Sequence, residues 1–447
     1  MTRETKLGEM SMRKLAFQMS LPLMISLLVQ SLYNIVDSIF VAMLSEDALA
    51  ATSLAYPVQL LMIAVAVGSS VGINALLSKS IGAGDREAVT DTADTGVLLS
   101  VTGMMVFLLL GLTCANFFAS LFTGDESIAA DCASYLRICM IFCGGTFIGT
   151  MYQRFLQSVG NTFDSMMTLI AGAMTNLILD PLLIFGLLGF PALGIRGAAI
   201  ATVIGQWVSA ALAILLNRLH NPAVHVSFVG FRLRKSILGQ IYRVGLPTII
   251  MQALGSIMLS AVNAILIGFS STAVALFGVY YKLQSFLFMP MHGIGQAAIP
   301  IVGYNFGAGK KDRIRELLRV MLPASVGIAL LATLAFLLFP EVLLGFFSPS
   351  TEMLELGIPA LRIISPTFAL ASVTMILGYA VSGLGDGMVN MLGTAIRQLL
   401  LLVPLIALLG RLGGIHSAWY AFWVSELAAM LYTVAATRKR LKEKIFK

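Results

Sequence analysis

Two stretches decide the fold. Residues Tyr56 to Gly84 read YPVQLLMIAVAVGSSVGINALLSKSIGAG, and residues Tyr281 to Gly309 read YKLQSFLFMPMHGIGQAAIPIVGYNFGAG. At an offset of 225 residues, Tyr56 falls on Tyr281, Gly68 on Gly293, and Gly82-Ala83-Gly84 on Gly307-Ala308-Gly309. The same offset places Leu21-Pro22 on Leu246-Pro247 and Gly160-Asn161 on Gly385-Asp386. Near the ends of the halves it shrinks to 220, where Gly194-Ile195 matches Gly414-Ile415 and Gln206 matches Glu426. The chain is therefore two copies of one design.

Composition says what surrounds that design. Of 447 residues, 58% are hydrophobic and only 11% are charged, with a mean hydropathy of +0.90. A soluble domain carries about 25% charged residues, so much of this surface must face lipid. Apolar runs recur that are long enough to cross roughly 30 Å of hydrocarbon. Backbone groups in lipid must bond internally, which makes these runs helices, and the period-2 alternation of a β-barrel is absent. The expected fold is an all-α integral membrane protein. About twelve transmembrane helices form two pseudo-two-fold-related six-helix lobes. The spans read 15–43, 50–80, 91–122, 128–157, 163–188, 193–219, 237–267, 272–305, 312–346, 352–383, 388–411 and 414–437. Lobes at 1–219 and 237–447 flank a linker at 220–236. The first apolar run is too long for a signal-peptide core and is expected to be retained.

Charge sets the orientation. An even number of spans puts both termini on one side. Of 29 Lys and Arg, Arg137, Arg196, Arg362 and Arg411 fall in the opposite loops, and Lys282 and Arg397 lie inside spans. The rest, Arg3, Lys6, Arg13 and Lys14 among them, fall on the terminus side. The positive-inside rule makes that side cytoplasmic, in an inner or plasma membrane. The basic stretch Phe231-Arg-Leu-Arg-Lys235 is then a cytoplasmic connector, and no nucleic-acid partner is implied. Two halves of six spans insert in the same orientation and suit alternating access. The Gly-Ala-Gly repeats lack the Lys-Ser/Thr of a phosphate loop and read as helix C-caps. Energy must come from a gradient. Cys114, Cys132, Cys139 and Cys143 read as buried small hydrophobes, with no zinc spacing.

Ionisable groups inside the membrane are functional candidates by default. Asp37 and Asp180 each lie about 8 or 9 residues from the outer end of their spans, roughly 12 Å deep at 1.5 Å per residue. Thr202 and Tyr135 reach the same layer. Asn176 precedes Asp180 by one turn and Asn34 precedes Asp37 by nearly one, each on a shared face. Two carboxylates in a low-dielectric pocket repel, so the pair suits uptake of a proton or a Na⁺ held between them by Asp37, Asn176, Asp180 and Thr202. Pro181 also frees the Leu177 carbonyl. The alternative is a polar helix contact at Asp37 with no ion. The second half lacks the pair: Asp37 overlays Val262, and Asp180 falls near Val403. There, Glu426 is expected either to pair with Lys282 or Arg397 or to act on substrate or ion itself. Met251, Met258, Tyr280, Phe286 and Met289 are candidates for an adaptable substrate cavity, against ordinary packing.

These residues carry a resemblance. Leu21-Pro22 with Val36-Asp37-Ser38-Ile39-Phe40-Val41 looks like the first helix of the multidrug and toxic compound extrusion (MATE) family. Asn176-Leu-Ile-Leu-Asp180-Pro181-Leu-Leu-Ile-Phe185-Gly186 and Gly197-Ala-Ala-Ile-Ala-Thr202 extend the likeness, which covers nearly the whole chain. It implies secondary active export of amphipathic, often cationic, drugs in exchange for inward H⁺ or Na⁺. The family's cation site would fall on Asp37, Asn176, Asp180 and Thr202. Spans 7 and 10 lack the interior acids of one branch, so the chain resembles the DNA-damage-inducible (DinF-like) branch. A monomer in the lipid bilayer, handling small-molecule substrates with no cofactor beyond the coupling ion, is expected. A lipid-linked saccharide flippase would collect several arginines for phosphate, and only Arg397 and Lys282 are intramembrane. An enzyme would need a nucleophile–base pair or metal ligands at depth; His220, His225 and His416 lie near span ends, and His292 in span 8 has no evident metal partners. A channel would show a filter-like polar run, which is absent.

Overall fold

The computed structural model describes residues 6–229, 231–347 and 349–445; Arg3 lies outside them. Among the described residues the chain is all-helical. The first half runs α1 (Met12–Leu44), α2 (Glu46–Ala83), α3 (Arg86–Phe122), α4 (Glu126–Ile141), α5 (Gly144–Ser158), α6 (Thr162–Phe185) and α7 (Ile195–His220). The second runs α8 (Lys235–Leu266), α9 (Ser271–Gly307), α10 (Lys311–Leu338), α11 (Thr351–Ile364), α12 (Phe368–Gly383), α13 (Gly387–Ala395), α14 (Leu402–Ala418) and α15 (Ala421–Ile445).

Among the described residues ten helical stretches are long and apolar enough to cross a membrane, α11 with α12 and α13 with α14 counting as one each, or up to 11 if the bent pair α4–α5 is one span. The fourth span is interrupted in both halves, sharply bent only in the first. α4 and α5 meet at 45°, and the 3₁₀ turn Ser365–Thr367 separates α11 from α12. The twelfth expected span is α15, which is 25 residues long but carries Glu426 and a basic end from Arg438 onward. Those charges leave it less apolar than the other spans. Exposed apolar side chains cover the outside, as lipid requires: Leu330, Leu331, Leu334 and Leu338 share one side of α10.

The repeat extends to individual hydrogen bonds. Ser45 Oγ accepts from Ala48 N at the start of α2, and Ser270 Oγ accepts from Ala273 N at the start of α9. Asp125 Oδ1 accepts from Ile128 N, and Ser350 Oγ from Met353 N. At the helix ends, Asp85 N donates to Ser80 O as Lys310 N does to Asn305 O. Gly84 and Gly309 hold φ of 72° and 69°, and Gly160 and Gly385 hold 80° and 79°. Each pair is 225 residues apart. The Gly-Ala-Gly elements are thus helix terminators in which a left-handed residue satisfies the last carbonyls.

The chain forms two compact units. One holds residues 6–9 with 25–249, the other residues 10–24 with 250–445. The division cuts α1 and α8 at repeat-equivalent points, just after Pro22 and Pro247. In the first unit a Cβ on Gly68 would stand 2.4 Å from Ile249; in the second, a Cβ on Gly293 would stand 2.6 Å from Met24. Both glycines and both partners are repeat pairs, so each unit takes in the early part of the other half's first helix in the same way.

In the first unit, Phe107, Tyr135, Leu136, Phe147 and Ile184 anchor one apolar cluster, and Ile73, Leu77, Phe155 and Ile241 another. The connector after α7 is tied to α3. Asp94 accepts from Ser227 N at 3.0 Å and Phe228 N at 3.1 Å, holding Phe228 at a φ of 52°. Arg234 pairs with Glu87 and, at 3.1 Å, with Asp91. The second unit is built on Phe277, Tyr280, Phe288, Phe336, Phe368 and Trp419.

Candidate functional site

Small residues set the site's position. A Cβ on Gly205 of α7 would stand 2.6 Å from Gly172 O of α6, and one on Gly172 would stand 2.8 Å from Gly205 O. Without side chains the two backbones close up, as small residues allow between membrane helices. One turn along α6, Asn176 then reaches across to α7. Its Nδ2 donates to Thr202 Oγ1 at 3.4 Å and to Asp180 Oδ1, on its own helix, at 3.1 Å. Asn176 and Asp180 are buried. Pro181 lies inside α6 and has no N–H for the Leu177 carbonyl, which adds an acceptor to this layer.

α1 brings Asp37 to the same place. Its carboxyl lies within hydrogen-bonding reach of the Asp180 carboxyl. Asp37 Oδ1, Asp180 Oδ2 and Asn176 Oδ1 are all buried with no donor. These observations agree once protonation is considered. Two ionised carboxylates are acceptors only, so their contact becomes a hydrogen bond when one holds a proton. Unpaired, two such charges in an apolar bundle are costly. A proton removes one charge, and a hard monovalent cation would find three unpartnered oxygens. Thr202 Oγ1 lies in the same layer, between Asn176 and Tyr135. All these donors are oxygens. Among the described residues no three His, Cys, Asp or Glu are grouped so as to hold a metal ion, and an all-oxygen donor set is of the kind that suits a hard cation.

Tyr135 is buried on α4, beside Thr202, Asp37, Cys139 and Gln59. Asn34 is not brought in: it is exposed, and its backbone carbonyl accepts from Ser38 Oγ at 2.8 Å. Tyr33 takes that position, close to both Asp37 and Asp180. The signal was available, because i, i+4 places Tyr33 nearer the Asp37 face than i, i+3 places Asn34. Gln59, which reaches Tyr135 and Cys139, had no such marker.

In the second unit Glu426 pairs with Arg397, whose Nε lies 3.5 Å from Glu426 Oε1; Lys282 is exposed. His292 Nδ1 meets Tyr379 Oη at 3.0 Å. The apolar candidates separate. Met258 and Tyr280 are in the core of the unit, and Phe286 is exposed. Met251 Sδ receives the Thr394 hydroxyl at 3.6 Å, and Met289 is half-buried.

Membrane-length helices repeated within one chain, with an acidic pair buried in one copy alone, define a polytopic membrane transporter made by duplication. The MatE family model matches residues 22–182 and again 247–408, the second match starting 225 residues after the first. The chain belongs to this family of multidrug and toxic compound extrusion transporters. It is 26% identical over 415 residues to the FAD transporter of Shewanella oneidensis, covering 93% of this chain and 92% of that one. It is 22% identical over 423 residues to the multidrug export protein MepA of Staphylococcus aureus, with 94% and 92% covered. Its fold matches an outward-facing multidrug resistance MATE transporter of the MOP superfamily with a TM-score of 0.91. That match has 24% identity and covers 100% of this chain and 99% of the other.

Proposed function

We propose that this chain exports amphipathic small molecules, cationic ones included, in exchange for an inward H⁺ or Na⁺ bound at Asp37 and Asp180. The supporting observation is the facing carboxyl pair, whose Oδ1 and Oδ2 atoms are buried without donors. Such a pair holds one cation well and none badly, which suits alternating access, where the ion's occupancy decides which way the protein can open. Asn176 orients Asp180, and Thr202 orients Asn176 in turn. Both termini are cytoplasmic in this reading, on the distribution of Lys and Arg. The lack of acids inside α8 and α12 supports a place near the DinF-like branch.

Proteoliposomes loaded with a fluorescent cation test the reading. An imposed proton or Na⁺ gradient should drive efflux, and Asp37→Asn and Asp180→Asn should each abolish it. Efflux that neither gradient drives, or that both variants retain in full, removes the ion site.

A further inference from the structure

The second unit contains a polar site that ion coupling leaves unused. Between α13 and α14 the helix departs from α geometry: Ile396–Leu400 is a π-helical turn, a feature that recurs at functional sites. Arg397 lies in that turn. Its guanidinium carbon stands 6.0 Å from the centre of the Phe288 ring on α9, and its Nε stands 3.5 Å from Glu426 Oε1 on α15. The side chains are 12% and 5% exposed. At that separation Glu426 balances the charge, but the gap exceeds the roughly 2.8 Å of a charge-assisted hydrogen bond. Arg397 Nη1 and Glu426 Oε2 are buried without a partner, and Tyr280 Oη, buried nearby, has Gln284 within reach. Tyr280 feels both charges, and His292, joined to Tyr379, also faces Arg397.

A mere structural pair would close to bidentate contact, since arginine's planar fork matches a carboxylate. This one leaves a donor spare on the arginine, with the Tyr280 hydroxyl close by and held by nothing stronger than Gln284. Nor does the scaffold demand the pair. The residue 225 before Arg397 is Gly172, and the match of Glu426 is Gln206. The first half builds the same bundle with neither charge.

We propose that Arg397 and Tyr280 bind a single oxyanion group, a carboxylate or a phosphate, on an amphipathic substrate. Glu426 competes for the guanidinium and so limits how tightly that group is held. The site extends the substrate range to acids and zwitterions. It rests on the chain carrying small molecules, not on which cation drives them.

The test is equilibrium binding to the purified full chain with no gradient, so that a failure of ion coupling leaves it readable. Fluorescence anisotropy would compare fluorescein, which bears a free carboxylate, with fluorescein methyl ester. The acid should bind about tenfold tighter than the ester. Arg397→Gln should bring the acid down to the affinity of the ester, and Glu426→Gln should tighten the acid several-fold. Equal binding of acid and ester, or an acid preference that survives Arg397→Gln, overturns the proposal. If Arg397→Gln aggregates, Glu426→Gln decides: an unchanged acid affinity in that folded variant also overturns it.

Discussion

Gly205 faces Gly172 across α6 and α7, so closely that a Cβ on Gly205 would stand 2.6 Å from Gly172 O. The obstacle is backbone, which cannot turn aside as a flexible side chain can. Gly205→Ala must therefore push the helices apart. Overpacking of this kind costs about 1–3 kcal/mol. The same shift would lengthen the 3.4 Å contact between Asn176 and Thr202. The variant is expected to melt at a lower temperature in detergent and to lose coupled efflux. A variant that melts earlier but couples normally would show that the helix spacing does not hold the site.

In the proposed site, Thr202 is the residue expected to tell the two ions apart. Its hydroxyl would ligate Na⁺ directly, whereas a proton needs only the carboxylates. Thr202→Val is expected to weaken Na⁺-driven efflux by about tenfold, or about 1.4 kcal/mol. Proton-driven efflux should fall less. Gradient-driven flux at varied Na⁺ concentration reads the difference. Equal losses under both gradients would place the hydroxyl in support of Asn176 alone.

The parts of the fold set by local backbone chemistry were legible in the sequence. Gly84 and Gly309 end their helices as their spacing implies, and Asp37, Asn176, Asp180 and Thr202 converge as depth along the spans implies. What depends on three-dimensional packing was not legible. Gln59 reaches Tyr135 and Cys139 from α2 with no marker in its spacing, whereas Tyr33 stands beside Asp37 because i, i+4 lies nearer one face than the i, i+3 of Asn34, which the helical repeat does show. The π turn at Arg397 inserts one residue into a ladder with no side-chain signature. The division of α1 and α8 between units is hidden for another reason: Met24-Ile25 and Ile249-Ile250 are apolar on both sides of the cut.

Asp94 holds the connector. Its carboxylate accepts from two successive amides, Ser227 N and Phe228 N. Asp94→Ala would leave both donors without a partner and release Phe228 from its left-handed φ of 52°. An unmade bond to a charged group costs about 1.5–3 kcal/mol. Hydrogen exchange at these two amides is therefore expected to quicken by at least about tenfold. Phe228→Gly, which accepts positive φ freely, should leave their protection near that of the parent. Unchanged exchange in Asp94→Ala would mean that the connector is held by Arg234 with Glu87 and Asp91 instead.

The two halves still share their helix terminators, which can be tested against each other. Gly84 and Gly309 have φ of 72° and 69°, and a Cβ on either would meet nothing within 4 Å. Packing therefore drops out, and only backbone strain remains. Gly84→Ala and Gly309→Ala should each cost about 1–2 kcal/mol. Asn at either position should cost less, because its short polar side chain tolerates the left-handed region. Thermal melts of the full chain should show nearly equal shifts for the two alanine variants. The equality is informative because the surroundings differ: Asp85 follows the first glycine and Lys310 the second. A shift confined to one half would mean that its terminator carries a load the other does not, and that the duplication has diverged in the scaffold as well as in Asp37 and Asp180.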